Sequence, residues 1–202
     1  MKPTIRYLLI FIGALLAGCY LHELGHAIAG WLQGVAVFPT TAKEYILRPQ
    51  LDWSKETWIA LGGVLGTTIV MLASGLWFWR KPSLDREAVL AGALVPSLVY
   101  TLRFLLMGRG HDGTEWQAAQ TALGLRPAGH AIDVFMACLL VVTVIIWGVR
   151  LRPRLWFLLR FLALAVVGTF LLVGLQAGNN AVFDRVLQDG TVVNVPAGLD
   201  PR

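Results

Sequence analysis

Tyr20-Leu21-His22-Glu23-Leu24-Gly25-His26-Ala27 lies in the later part of an apolar run that extends from about residue 5 to residue 32. A helix crosses the hydrocarbon core of a bilayer with about 20 residues, so this run reads as a membrane-spanning helix. It carries three ionisable side chains within five positions. On a helix, residues four apart share one face, and His22 and His26 can therefore present imidazole nitrogens to one point. Glu23 lies about 100° round from His22 and about 60° from His26. Two neutral ligands, an open position for water and a carboxylate beside them are what a zinc hydrolase requires. The plainer reading is a helix end at the interface with solvated histidines. It leaves the cost of placing two histidines and a glutamate in a span without an explanation.

Four more apolar runs follow, at about 57–79, 87–107, 129–150 and 155–176, separated by charge, Pro or Gly. The chain is 56% hydrophobic and 14% charged, with a mean hydropathy of +0.65, whereas soluble domains carry roughly a quarter charged residues. A lipid-exposed segment must satisfy its own backbone hydrogen bonds, so the runs are expected to be helices. The fold class is therefore all-α: a polytopic membrane protein of about five transmembrane helices. Residues 1–178 form a single integral-membrane domain, with a core of about 5–128 and extra helices over about 129–176. Residues 179–202 form a short polar tail in which Val192-Val193-Asn194-Val195 has strand character. The connections 33–56 and 108–128 read as longer polar loops.

The net charge of +5 comes from basic residues that sit mainly between apolar runs, as anchors and topology signals. No basic stripe is interleaved with aromatics, so no nucleic-acid partner is expected. Cys19 and Cys138 both fall inside apolar runs, and a structural disulfide is not expected. Leu16-Ala17-Gly18-Cys19 has the form of a lipoprotein cleavage box. The apolar character continues beyond it through Leu32, which favours an uncleaved helix.

A tetrahedral catalytic site needs a third protein ligand. Asp112, in Gly110-His111-Asp112-Gly113, is the expected one. It follows the third span, so it emerges on the same membrane face as the His22–His26 end of the first. His111, Glu115, His130 and Asp133 compete for the role, and Asp133 could instead orient a ligating histidine. Gly62-Gly63-Val64-Leu65-Gly66 at the start of the second span permits close helix approach. Packing is its plainest meaning; the functional version is that the second helix presses against the site.

His-Glu-Leu-Gly-His at 22–26 in a span, the glycine-rich start of the second helix and an Asp-Gly after the third resemble the site-2 protease family of intramembrane zinc metalloproteases. The resemblance covers roughly residues 10–125, a three-helix metalloprotease core. It implies one zinc ion per chain held by His22, His26 and Asp112, with Glu23 as the catalytic base. It also implies peptide-bond hydrolysis in membrane-embedded or membrane-adjacent protein substrates. The chain departs from the family pattern in three ways. His111 precedes the aspartate, where Leu or Asn-Pro is common. Asparagine occurs only at 179, 180 and 194, so an oxyanion partner must come from His130, Thr67, Thr68 or backbone. The regulatory PDZ or CBS modules of many members are absent. These departures place the chain in a divergent, minimal branch.

The expected localisation is a multi-pass protein of the bacterial inner membrane. Eight basic residues fall on the side of the N-terminus and seven on the other, the eight crowded into shorter connections. That favours an extracytoplasmic site, whereas the family resemblance implies a site nearer the cytosol. The β-prone stretches Val35-Ala36-Val37-Phe38 and Tyr45-Ile46-Leu47 could offer an edge for strand addition by an unwound substrate. The alternative function is a non-catalytic metal-binding membrane protein or an inactive protease homologue, which shares the ligands and does not need Glu23 as a base.

Overall fold

A computed structural model describes residues 2–46, 53–107, 111–125, 130–150 and 154–184, with the side chains of 53, 100–114, 154–155, 157–158 and 184 outside that set. Helices α1 (Pro3–Leu32), α2 (Trp53–Arg80), α3 (Leu84–Met107), α5 (Ala131–Arg150) and α6 (Arg154–Asn179) coincide with the five apolar runs. A shorter helix, α4 (His111–Ala122), lies between α3 and α5. Among the described residues, four helical stretches are long and apolar enough to cross a membrane: Pro3–Leu32, Ser54–Arg80, Ala131–Arg150 and Leu159–Phe183. Their outward faces carry large apolar side chains, such as Ile69 at 65% exposure and Phe170 at 74%. An apolar belt of this extent marks a surface made for something other than water.

α3 is the centre of the bundle. Leu90, Ala91, Leu94 and Val95 are fully buried, and α1, α2, α5 and α6 all pack on it. α1 and α2 run antiparallel at very short range. A Cβ built on Gly62 would overlap the carbonyl oxygen of Gly25, and one on Gly66 would lie 2.7 Å from that of Leu21. Only glycine allows that approach. α1 continues unbroken through Leu16-Ala17-Gly18-Cys19, and Cys19 is buried in the main core.

At one end of the bundle, Arg6 pairs with Asp85, and the Arg86 and Arg150 guanidinium groups lie over the rings of Trp77 and Trp79. Buried Glu87 of α3 sits just inside this end. It accepts hydrogen bonds from Arg160 of α6 at 3.2 and 3.0 Å and from the Tyr7 hydroxyl of α1 at 3.3 Å. The pair ties α6 to the core across otherwise apolar surface.

At the other end, α1 closes with a Schellman turn. Val35 N–H donates to Gly30 O and Gly34 N–H to Trp31 O, with Gly34 at φ +71°, a conformation that suits glycine. This turn launches a hairpin of β1 (Val37–Pro39) and β2 (Glu44–Ile46), antiparallel with Val37 opposite Ile46 and Phe38 opposite Tyr45. Thr40 organises its turn, with the hydroxyl donating to Lys43 O and accepting from the amides of Ala42 and Lys43. Val35, Val37 and Ile46 form a satellite core with Ala27 of α1 and Ile59 of α2. The far side of the hairpin meets the end of α6: Asn179 Nδ2 donates to the Tyr45 hydroxyl at 2.9 Å, and Phe183 packs on Phe38 and Tyr45.

The β-prone stretches of the 33–56 connection do supply strands, paired as a hairpin; two other sequence-based expectations need correction. The 108–128 connection contains a helix, because α4 has one face to bury, made of Glu115, Trp116, Ala119 and Gln120. The polar tail does not begin at 179, since α6 runs through Asn179 into a π-helical turn at Asn180–Asp184. The stretch Val192–Val195 lies outside the described residues.

Candidate metal centre

His22 and His26 stand one turn apart on α1, about 15 Å and 9 Å from its C-terminal end at 1.5 Å per residue. Their Nε2 atoms face each other at 3.2 Å. Two nitrogen ligands at tetrahedral positions around one zinc ion lie about 3.3 Å apart, so the spacing suits a shared ion. Each ring is held from behind through Nδ1. His26 Nδ1 lies 2.8 Å from the carbonyl oxygen of Ile59. A carbonyl only accepts, so Nδ1 carries the proton and the Nε2 lone pair is directed into the site. His22 Nδ1 lies 2.8 Å from Thr67 Oγ1, a partner that accommodates the same tautomer. Such partners fix ring orientation and raise ligand basicity. These orienting groups both come from α2; Asp133, considered for that role, instead pairs with His130 at 2.9 Å at the start of α5.

The glycines of α2 make this contact possible. In a helix each Cβ leans toward the preceding turn, so a side chain at 63 would cover the Ile59 carbonyl. A Cβ built on Gly63 would overlap His26 Nε2 and Cε1. Gly62-x-x-x-Gly66 thus serves packing, while the intervening Gly63 makes room for the imidazole itself.

Glu115, from the buried face of α4, closes the group. Its Oε2 lies 3.5 Å from His22 Nε2 and its Oε1 3.5 Å from His26 Nε2. The carboxylate therefore straddles the two imidazoles, the placement of a third donor. Sequence reasoning ranked Glu115 only as a competitor. Asp112 and His111 fall in the first turn of α4, and their side chains lie outside the described residues.

Glu23 is 7% exposed and directed into the same space. His22, Glu23 and His26 each offer a donor atom within 4.8 Å of the others, a group able to hold a metal ion. Glu23 Oε2 is buried with no hydrogen-bond partner. A lone buried carboxylate oxygen is costly, and a cation or a polarised water beside it would remove that cost. The carboxyl group of Glu44, on β2, lies beside that of Glu23, and the two can share a hydrogen bond only when one is protonated; the hairpin thus contributes a fifth ionisable group. Of the other oxyanion candidates, Thr68 donates to Val64 O within its own helix, and His130 is mostly exposed.

Comparison of the chain with family models, with curated proteins and with solved structures returns no match.

Proposed function

We propose that this chain is an intramembrane zinc metallopeptidase of the site-2 protease type, acting on membrane-embedded or membrane-adjacent polypeptides from the bacterial inner membrane. The observation that carries the reading is the convergence of His22 Nε2, His26 Nε2 and the Glu115 carboxylate, with Glu23 buried alongside. His22, His26 and a carboxylate of α4 would hold one zinc ion. Glu115 supplies that carboxylate in this reading, and Asp112 three residues before it is the alternative the sequence suggests. α3, 24 residues long and central in the bundle, serves as a fifth span.

A bound zinc ion supplies Lewis acidity, which polarises a carbonyl and brings the acidity of a water toward neutrality. The protein's own part follows from Glu23. Its carboxylate takes a proton from the attacking water and passes it to the leaving amine. Thr67 and the Ile59 carbonyl keep the two imidazoles in their ligating tautomer. The hairpin that brings Glu44 to Glu23 lies where an extended substrate could add a strand; proline in place of Phe38 should then impair cleavage.

Metal analysis of purified protein tests the proposal. Wild type and Glu23→Gln should each hold one zinc per chain, and His22→Ala and His26→Ala should hold none. New protein termini in membranes expressing wild type, missing with Glu23→Gln, would establish the peptidase. Fragments that persist with Glu23→Gln would leave a non-catalytic metal protein.

A further inference from the structure

Directly behind His22 and Glu23, one helical turn deeper into the bundle, α1, α2, α3 and α5 leave a cavity of about 40 Å³. Close-packed interiors seldom leave such space, and at ~10–15 Å³ per water it is room for roughly three waters. Its walls are nonetheless mostly apolar: Val64 and Val70 of α2, Ala93 and Pro96 of α3, Trp116 of α4 and Met136 of α5, with Ser97 of α3 among them. Thr67 also faces it, but that hydroxyl is engaged with His22 Nδ1. His22 and Glu23 stand on its wall, and Thr41 and Ala42 of the hairpin turn line it as well.

Gly18 forms part of the wall. A Cβ there would meet its nearest neighbours at 3.8–4.0 Å, ordinary contact. Unlike Gly25, Gly62 and Gly63, this glycine is not required by packing, and alanine would favour the helix by about 1 kcal/mol. What a methyl group at 18 would do is narrow the cavity.

We infer that this cavity receives one small aliphatic side chain of the substrate, three or four carbons in size, from a residue flanking the bond presented to His22 and Glu23. The inference rests on the metallopeptidase reading and adds a substrate class to it: segments with a Val- or Leu-sized residue beside the cleaved bond. A polar side chain would find little to bond on these walls beyond the Ser97 hydroxyl, and a volume of about three waters suits a short aliphatic chain better than an aromatic ring.

Cys19 lines the same cavity and reports on its occupancy without any assay of cleavage. Zinc-loaded protein is treated with methyl methanethiosulfonate, and labelling of Cys19 is quantified by peptide mass spectrometry, with exposed Cys138 as the internal reference. Acetohydroxamate and 4-methylpentanohydroxamate both chelate zinc, but only the second carries a branched chain. Burying those carbons should let it protect Cys19 at a concentration about tenfold lower or less, and 3-phenylpropanohydroxamate should gain no such advantage. Gly18→Ala should abolish the preference and leave zinc content unchanged; Ala93→Leu is the second variant with the same expectation. Equal protection by the two aliphatic hydroxamates on zinc-loaded wild type would overturn the inference and leave the metal site standing. Protein that binds no zinc would overturn both.

Discussion

The α-carbon of Gly63 stands so close to the imidazole of His26 that any side chain on it would occupy the position of the ring's Nε2 atom, and its first carbon would lie 2.7 Å from Glu115 Oε1. One backbone position thus governs both the access of His26 to its carbonyl partner and the room between His26 and Glu115. Gly63→Ala adds a methyl group where helix propensity favours it, yet should displace His26 and Glu115. The expected result is loss of bound zinc with destabilisation of about 1–3 kcal/mol, the usual cost of overpacking. Zinc content and thermal unfolding in detergent check it. A Gly63→Ala protein with a full complement of zinc would show that the imidazole does not need that space.

Thr67 would act on a bound metal through His22, whose Nδ1 it meets. Thr67→Val keeps the shape and removes the hydroxyl that meets Nδ1 at 2.8 Å. Zinc affinity should fall about 10–100-fold, the usual penalty for losing a partner of a ligating histidine. Thr67→Ser should recover most of it. Titration against a competing chelator measures both, and equal affinities for Val and Thr would exclude an orienting role.

The spans were readable because each is an unbroken apolar run of membrane length, and the histidine pair because spacing of four on a helix is a local rule. α4 was not readable: Gly110 and Gly113 flank its start and its residues are largely polar, so it is held by what Glu115, Trp116, Ala119 and Gln120 bury against rather than by propensity. The third donor therefore depended on tertiary packing. The partner of His26 is a backbone carbonyl, which no residue type announces. The β-prone segments at 35–38 and 45–47 were visible, but the pairing of Val37–Pro39 with Glu44–Ile46 came from the Thr40 turn and its anchoring from Asn179, 134 positions beyond Tyr45, while Leu47 lies outside the described residues.

Two carboxylates on the first turns of α4 make separable predictions. Glu115 straddles the imidazoles at 3.5 Å, so Glu115→Gln should reduce zinc affinity by at least about 100-fold, more than loss of a merely orienting partner. Asp112→Asn should change it by less than about tenfold on the same scale. The reverse ranking would transfer the ligand role to Asp112.

Glu87 carries a structural prediction remote from the metal. It is 1% exposed and bound by Arg160 and Tyr7, while the Arg160 side chain is 42% exposed and can turn toward solvent. The loss in Glu87→Ala should thus be less than that of a fully buried pair, about 1–3 kcal/mol, as for hydrogen bonds to charged groups. It should appear as earlier thermal unfolding with zinc stoichiometry intact. Loss of zinc in this variant would show that the two ends of the bundle are coupled.

The hairpin is fixed from three directions: Trp31 Nε1 donates to Val37 O at 2.9 Å, the satellite core lies beneath it, and Asn179 reaches it from α6. The last contact belongs to α6, which carries none of the proposed metal donors and supplies none of the atoms nearest Gly25 and Gly62 where α1 meets α2. Asn179→Ala removes a buried hydrogen bond worth about 0.5–1.5 kcal/mol and leaves α1 and α2 untouched. Local opening of the hairpin should therefore become more frequent by about 2–10-fold, seen as faster hydrogen exchange at residues 37–46 in nanodiscs. Exchange in the α1–α2 contact at Gly25 and Gly62 should stay the same, and so should zinc affinity, because His22 and His26 belong to α1 and Glu115 to α4. If substrates enter beneath the hairpin turn, the same variant should admit methyl methanethiosulfonate to Cys19 faster, since Thr41 and Ala42 of that turn line the cavity with Cys19. Faster exchange throughout the bundle would instead make Asn179 a support of the whole fold, and unchanged exchange at 37–46 would show that Trp31 and the satellite core hold the hairpin alone.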